Sequence, residues 1–416
     1  MKFRALVTAS LLGFGAFGLL ACANTKSNKV TQTAVVVPQT LRVAVFNIRE
    51  LSTENLTLTD ANGIGQNPQT LAAAQIIQRI NPDVLLICEI DHDYSIFDGS
   101  NASLAENLRR FHNAYITQGE NPVHYSYFYA APSNTGILSP FDFDNNGRVA
   151  TKADEMTRDH GGDAWGYGEY PGQYSMGILS RFPIDEANVR TFQNFLWKDL
   201  PGNHLPTEWY SPEEQAAFRL SSKSHWDVPV LIPTASGNST SLHLFASHPT
   251  PPVFDGPEDR NGRRNFDEVR FWAEYLNNNE ALYDDNKRFG GFNSNAPFVI
   301  LGDLNASVKS DPIYTGELAI ETLFNHPRVI DYSAFTISNG GLMSRPAGAP
   351  EYWERATADF GNGARVDYVL ASQNLNVVGG GVFWPSVEED AEGNKLALRA
   401  SDHRLVWLDV ELTVNK

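Results

Sequence analysis

Carboxylates, amides and imidazoles stand at the ends of apolar runs in six separated places. These are Phe46-Asn47, Cys88-Glu89, Ser247-His248, Gly302-Asp303-Leu304-Asn305, Val366-Asp367-Tyr368 and Ser401-Asp402-His403. A strand end is where a rigid scaffold holds a polar group at the edge of the core. A buried Asp or Glu is costly unless it is paired or ligates a metal, so this many acids against apolar runs call for a cation. The donors are oxygens, with no Cys-Cys or His-x-x-x-His spacing. That set predicts a hard ion, Mg²⁺ or Mn²⁺, rather than zinc. Taken singly, each segment has a plain reading: an Asn after a strand is usually a turn, and an Asp-His pair usually lies on the surface. The six together are what point to a site.

Short apolar runs bounded by turn residues predict the strands that must carry these groups. They are Leu41–Ile48, Asp83–Ile90, Tyr125–Ala131, Tyr174–Ser180, Ser241–Ser247, Pro297–Leu301, Val366–Ala371 and His403–Leu412. Helical spacing predicts Gln69–Ile80, Leu104–Ile116 and Phe266–Asn277. Strands and helices mixed at irregular intervals predict an α/β (α+β) fold of two layered sheets with outer helices, not a regular βαβ array. The stretches Pro132–Gly172 and Trp197–Asn238 read as long loops, the expected source of substrate specificity.

The segments Val45-Phe46-Asn47-Ile48, Leu86-Ile87-Cys88-Glu89-Ile90, Ile300-Leu301-Gly302-Asp303-Leu304-Asn305-Ala306, Arg365-Val366-Asp367-Tyr368 and Ser401-Asp402-His403-Arg404 resemble one superfamily. It is the endonuclease/exonuclease/phosphatase group, which contains DNase I, exonuclease III, neutral sphingomyelinases and inositol-polyphosphate 5-phosphatases. The resemblance spans nearly all of the chain after its first forty residues. It implies a four-layer α/β sandwich with two mostly antiparallel central sheets, and a metal-dependent phosphoesterase. It also implies roles. Glu89 is the expected metal ligand, with Asn47 and Asp402 nearby. Asp303 orients and deprotonates the attacking water, and Asn305 holds that aspartate or a phosphate oxygen. His403 donates to the phosphoryl oxygens with Asp367 fixing its tautomer, and His248 stands across the phosphate. Phosphoryl transfer needs little more than an in-line water, a cation and donors to the equatorial oxygens.

The chain also departs from its relatives. Arg49 stands where exonuclease III-like enzymes often carry an acid. Leu301 precedes Gly302 where inositol phosphatases have Trp, and Val366-Asp367-Tyr368 replaces their Cys-Asp-Arg. The substrate is therefore left open between nucleic acid and a small or lipid-linked phosphoester. The rival class is a non-catalytic, lipid-anchored binding protein, which would be expected to have lost one of Glu89, Asp303, Asn305, Asp402 or His403. None is lost.

Two further segments have a functional and a plain reading. Arg260, Arg263 and Arg264 lie within five residues, before a helix and after His248. They either clamp a second anionic group of the substrate or pair with Glu258 and Asp259 in a solvated loop. Asp142, Asp144 and Asn146, followed by Gly147, resemble the start of an EF-hand-type loop and make a candidate structural Ca²⁺ site. The twelfth position is Ala153 rather than Glu, with Asp154 and Glu155 as expected substitutes; the plain reading is an Asx-rich turn.

Residues 1–21 read as a leader: Lys2 and Arg4, then the apolar stretch Leu6–Leu20, too short to span a bilayer comfortably. Leu19-Leu20-Ala21-Cys22 resembles a bacterial lipobox with Cys22 as the lipidated residue. The alternative is an ordinary secretory signal with a chance Cys. By the sorting rule of the lipoproteins this run resembles, Ala23 after the Cys, where Asp would mean inner-membrane retention, implies the outer membrane. Residues 22–40 are polar and aperiodic, a tether, and 41–416 form one domain, expected to be monomeric. Cys88 is the other of the two cysteines and lies in an apolar run, so no disulfide is expected and a buried inert thiol is. The net charge is −17, and loss of Lys2 and Arg4 with the leader takes it to −19. That field argues against tight non-specific DNA binding, but does not exclude a nuclease whose site is dominated by a metal and local arginines.

Overall fold

The structure is a computed structural model, and it describes residues 39–234, 238–308, 312–345, 351–361 and 363–412. The leader, Cys22 and the tether to residue 38 lie outside the described residues. The first apolar run becomes β1 (Gln39–Leu51). It is followed by β2 (Val84–Ile90), β3 (Tyr127–Tyr129), β4 (Met176–Ser180), β5 (Arg190–Thr191), β6 (His225–Pro233), β7 (Ser239–Ser247), β8 (Phe298–Asp303), β9 (Val329–Ile330), β10 (Asp367–Ser372), β11 (Asn376–Val382) and β12 (Val406–Leu412).

Among the described residues these strands make two six-stranded sheets, in the orders β11-β12-β1-β2-β4-β3 and β5-β6-β7-β8-β10-β9. Each sheet has one parallel pair at its centre, β1 with β2 and β7 with β8; every other pairing is antiparallel. The two sheets thus repeat one pattern. The first differs in taking its members from both ends of the chain.

The strands read as continuous apolar runs because both faces are covered. Val43 and Val45 of β1 share a core with Leu86, Trp226, Val228, Leu244 and Val369, the layer between the sheets. Ala44, Phe46, Leu85 and Ile87 pack on the other face with Ile76 and Ile77 of helix Pro68–Ile80 and Leu396 of helix Val387–Ala400. Phe245 and Ile300 pack outward with Phe271, Trp272 and Tyr275 of helix Arg260–Leu276. The order is helix, sheet, sheet, helix, the four-layer sandwich expected.

The sequence reading lacks β5, β9, β11 and helix Val387–Ala400, and it differs in three further places. The stretch Trp197–Asn238 is not all loop: it contains β6, nine residues long. Pro229 and Asp227 disguise it. The Pro229 carbonyl accepts from Asp185 N at 2.9 Å, and the Asp227 carboxylate is paid off by Tyr275 Oη and His243 Nδ1, both at 2.6 Å. The helix expected at Phe266 begins at Arg260, because Asp255 caps it from outside through the amides of Asn261 (2.6 Å) and Gly262 (2.9 Å). The segment Leu104–Ile116 breaks into Asn101–Leu104, Glu106–Phe111 and a π turn over His112–Ile116. Cys88 is buried and free, as read.

Candidate active site

Parallel β1 and β2 end on the same side, and antiparallel β12 begins there. The same holds for β7, β8 and β10 in the other sheet. Asn47, Glu89, His248, Asp303, Asp367 and His403 are therefore delivered to one end of the sandwich by six strands. The sheets touch there directly: Asn47 Nδ2 of the first donates to Asp303 Oδ2 of the second at 2.9 Å, and to Glu89 Oε1 at 3.1 Å. Close approach of β7 to β8 requires glycine at 302, where a Cβ would lie 1.9 Å from the Ser247 carbonyl oxygen. Glu89 lies one residue before the end of β2 at φ +63°, a left-handed backbone that non-glycine residues rarely adopt. Its second oxygen accepts from Glu50 N at 3.0 Å.

Asp303 is the hub. Its Oδ1 accepts from Asn305 N at 3.0 Å, so Asn305 does hold this aspartate, through its backbone. The Asn305 side chain, from a φ of +49°, donates to the Pro249 carbonyl at 3.1 Å. Around Asp303 Oδ2 stand two imidazole nitrogens, His248 Nε2 at 3.5 Å and His403 Nε2 at 3.7 Å. Both are too far to close a good hydrogen bond. His403 Nδ1 meets Asp367 Oδ2 at 2.9 Å, the pairing expected of a carboxylate that orients a histidine. Thr357 joins these two segments: its Oγ1 accepts from Asp367 N at 3.0 Å and its carbonyl from Arg404 N at 2.7 Å. Phe360 covers the His403 ring edge-on at 5.2 Å.

The burial of this cluster sets its protonation. Burial raises Asp303 to about 6, with His403 pulling it down and Asp367 pushing it up. Burial alone would lower His403, but Asp367 and then Asp303 overcome it and hold the imidazole at about 10. His248 is pushed well below its usual value by burial, with Lys223 and His403 adding to it. One histidine is thus a cation and the other neutral, on either side of one aspartate.

The oxygen donors fit a hard cation. Asn47 Oδ1 and Asp367 Oδ1 are buried without a hydrogen-bond partner, and Glu89 has a carboxylate at the same place. Asp303, Asp367 and His403 also lie close enough to offer atoms within 4.8 Å of one another. Asp402 sits one residue from His403, with its carboxylate 3.9 Å from Arg49 Nη1 and 3.3 Å from Ser401 Oγ.

Three groups escaped the sequence reading. Lys223, just before β6, is buried, and its neighbour Ser222 donates through Oγ to the His248 carbonyl at 3.4 Å. Asp91, two residues past Glu89, is raised by burial to about 6 and accepts from Tyr170 Oη at 2.8 Å. Tyr170 and Lys223 come from the two long segments, which do contribute to this end of the fold. No motif marks them; only strand topology brings them in.

The arginine cluster divides. Arg264 is buried, and its guanidinium donates to the carbonyls of Leu220 (2.8 Å), Trp165 (2.7 Å), Arg219 and Ser221 (both 3.0 Å). The expectation of a substrate clamp is corrected at this residue, because its donors are spent on backbone. Arg263 pairs with Glu208 at 3.0 Å, and Arg260 donates to the Phe143 carbonyl at 3.2 Å. In the Asp142 loop, Asp142 and Asp144 come within 4.8 Å of Asp163, a buried acid the linear motif does not contain. Asn146 sits in the turn, its amide accepted by Asp142 at 3.0 Å. Asp154 does not take the twelfth position; it binds Arg148 at 2.9 Å and Thr151 N at 2.7 Å.

No curated protein has a sequence that matches this one. Solved structures with a related chain path include an endonuclease/exonuclease/phosphatase from Beutenbergia cavernae, at 17% identity over 90% of this chain and 72% of that one, with TM-score 0.46. The mannosyl-6-phosphatase of Bacteroides thetaiotaomicron has 12% identity over 89% and 99%, with TM-score 0.42. The catalytic domain of human Nocturnin with bound sulfate has 14% identity over 90% and 94%, with TM-score 0.43. The profile of the endonuclease/exonuclease/phosphatase family matches residues 44–403, a span that runs from β1 to His403 and holds every residue of the cluster. The chain belongs to the endonuclease/exonuclease/phosphatase family.

Proposed function

We propose that this protein is a divalent-metal-dependent phosphoesterase in which a water held at Asp303 attacks phosphorus in line. The observation that carries this is the arrangement at Asp303 Oδ2. Two imidazoles frame that oxygen at 3.5 and 3.7 Å without closing on it, so an oxygen can sit between them and still reach the carboxylate. Asp303 takes the proton of that water. His403, kept cationic by Asp367, donates from Nε2 to a phosphoryl oxygen, and neutral His248 faces it across the group. Glu89, Asn47 through Oδ1, and Asp402 are the residues that would hold Mg²⁺ or Mn²⁺. Such an ion, when bound, neutralises charge on the phosphoryl oxygens and lowers the pKa of a bound water. The substrate class is nucleic acid or a small or lipid-linked phosphoester. The Asp142 loop, with Asp163, is proposed as a structural Ca²⁺ site.

The test is a panel of plasmid DNA, RNA, bis-p-nitrophenyl phosphate, p-nitrophenyl phosphate and sphingomyelin, each with Mg²⁺, Mn²⁺ and Ca²⁺. Hydrolysis of at least one substrate, abolished by chelation, is expected. No turnover on any of them would leave the non-catalytic binding protein as the better reading. Glu89→Gln should weaken Mn²⁺ binding by roughly a hundredfold or more, beyond the 10–100-fold typical of outer-shell changes. Calorimetry showing unchanged Mn²⁺ affinity would remove Glu89 from the ligand set.

The location is proposed on the leader alone: an exported, monomeric lipoprotein anchored through Cys22, at the outer membrane. Several acyl chains on one residue hold firmly, since each buried CH₂ contributes roughly 0.8 kcal/mol. Among the described residues no helix is long and apolar enough to cross a membrane. Cys22→Ser should lose palmitate label and appear in the soluble fraction. Wild type that takes no label, with the variant still sedimenting with membranes, would end the lipoprotein reading.

A further inference from the structure

Lys223 is 93% buried by its neighbours, with a relative exposure of only 7%. Among the described residues its ammonium makes no hydrogen bond and no ion pair. A buried cation of this kind is normally matched to an acid, because desolvation is otherwise unrecovered. The obvious match is Glu268, buried on helix Arg260–Leu276. Glu268 is already taken: Oε1 accepts from Ser222 N at 2.6 Å and Ser222 Oγ at 2.9 Å, and Oε2 from Thr250 N at 2.8 Å. The segment lies against the active site: Ser222 Oγ donates to the His248 carbonyl at 3.4 Å, and His225, two residues after Lys223, pairs with Ser247 next to His248. Burial lowers the affinity of Lys223 for a proton, and the anions that oppose this are Glu268, Glu89 and Asp303. It acts in turn on His248.

The segment that carries Lys223 is fixed with unusual thoroughness for a loop. Its carbonyl accepts from Asn134 N at 2.9 Å. Asn134 Nδ2 and the buried Arg264 both hold the Ser221 carbonyl, at 2.7 and 3.0 Å. Ser221 Oγ meets His225 Nδ1 at 2.7 Å, and His225 Nε2 meets the Glu268 carbonyl at 2.8 Å. Through Ser222 and Thr250, Glu268 ties this segment to the one that follows His248. A network of buried polar groups this complete rigidifies what it holds. What it holds is a lysine whose three donors are unspent.

We propose that Lys223 is an oxyanion-binding residue of the site, its ammonium donating to a non-bridging oxygen of the phosphoryl group and of released inorganic phosphate. This deepens the phosphoesterase reading and rests on it. The chemistry has a use for such a group. An incoming phosphate faces the carboxylates of Glu89 and Asp303, while Asp367 already holds the His403 ring at Nδ1. A fixed ammonium on the β6 side balances the approach without competing for the oxygen ligands of a cation.

The experiment uses the full chain with Mn²⁺ and inorganic phosphate as the probe, titrated by calorimetry into wild type, Lys223→Met and Lys223→Gln. Met keeps the stem volume and removes the charge. Phosphate Kd is expected to rise roughly 10–150-fold in both variants, the span of a hydrogen bond to a charged group. Mn²⁺ affinity should hold or tighten, because a cation has been removed nearby, and thermal unfolding should hold or rise. A purely structural lysine would lower the melting temperature and leave phosphate Kd within about twofold. That result, a parallel loss of Mn²⁺ affinity, or a wild type that binds no phosphate overturns the proposal. Because binding is read without turnover, the two readings separate. Wild type that binds phosphate through Lys223 yet hydrolyses nothing on the panel supports the oxyanion seat and sinks the phosphoesterase.

Discussion

Asp303→Asn should lower kcat by roughly 10²–10⁴-fold while KM stays within about threefold, the pattern of a lost general base. The amide keeps the shape of the hub and its contact with Asn305 N, but it cannot take the proton of the attacking water. The wild-type profile should rise with pH through about 6, where Asp303 loses its proton. The variant has no such base, so its residual activity should lack that acid limb. The fold should survive, since a buried carboxylate raised by desolvation is being replaced by a neutral group. A variant within about threefold of wild type, or one that keeps the limb near pH 6, would assign the base elsewhere.

Asp367→Asn should be nearly as damaging, and its signature is a moved pH limb. His403 reaches about 10 because Asp367 and Asp303 outweigh the burial that lowers it. A histidine whose folded value is raised keeps its proton up to that value and loses it above. Wild type should therefore be active from about 6 to about 10 and decline beyond. Removing Asp367 takes away the strongest raising influence and the acceptor of Nδ1–H. The basic limb should shift toward neutrality, and the ring can adopt the wrong tautomer. Changes of this kind in other triads cost up to roughly 10⁴-fold in kcat. A kcat profile whose upper limb has not moved would show that Asp367 does not govern His403.

The groups at strand ends were legible because each opens or closes an apolar run long enough to be seen without tertiary information. Asn47, Glu89, Asp303 and Asp367 all belong to that class, and the structure brings them together. Lys223 and Tyr170 were not legible. Lys223 precedes a strand interrupted by Asp227 and Pro229, whose alternation is absent because β6 is buried on both faces. Asp163 could not be found from the Asp142 motif, because it reaches that loop from nineteen positions further along the chain than Asp144. The arginine cluster misled for a different reason. Proximity in sequence says which residues share a helix start, but not that Arg264 turns inward to four carbonyls. Helix Val387–Ala400 did announce itself locally, with Ser386 and Glu389 forming a capping box, yet its kink at Asp390 breaks the apolar period.

In the first sheet β1 lies between β2 and β12, and Arg42 of β1 grips Asp409 of β12 across 367 residues of chain. The second sheet draws all its strands from the middle of the chain and has no such debt. Long-range pairing is slow, because the entropy of closing the loop is lost before the contact is gained. The first sheet is therefore expected to complete late in folding, when β12 docks. That strand carries Asp402 and His403 just ahead of it, so a late docking step would also be the one that delivers the cationic imidazole to Asp303. On the proposed roles, a partly folded chain with its second sheet in place would hold a base without its acid, and turnover would begin only when the ends have met.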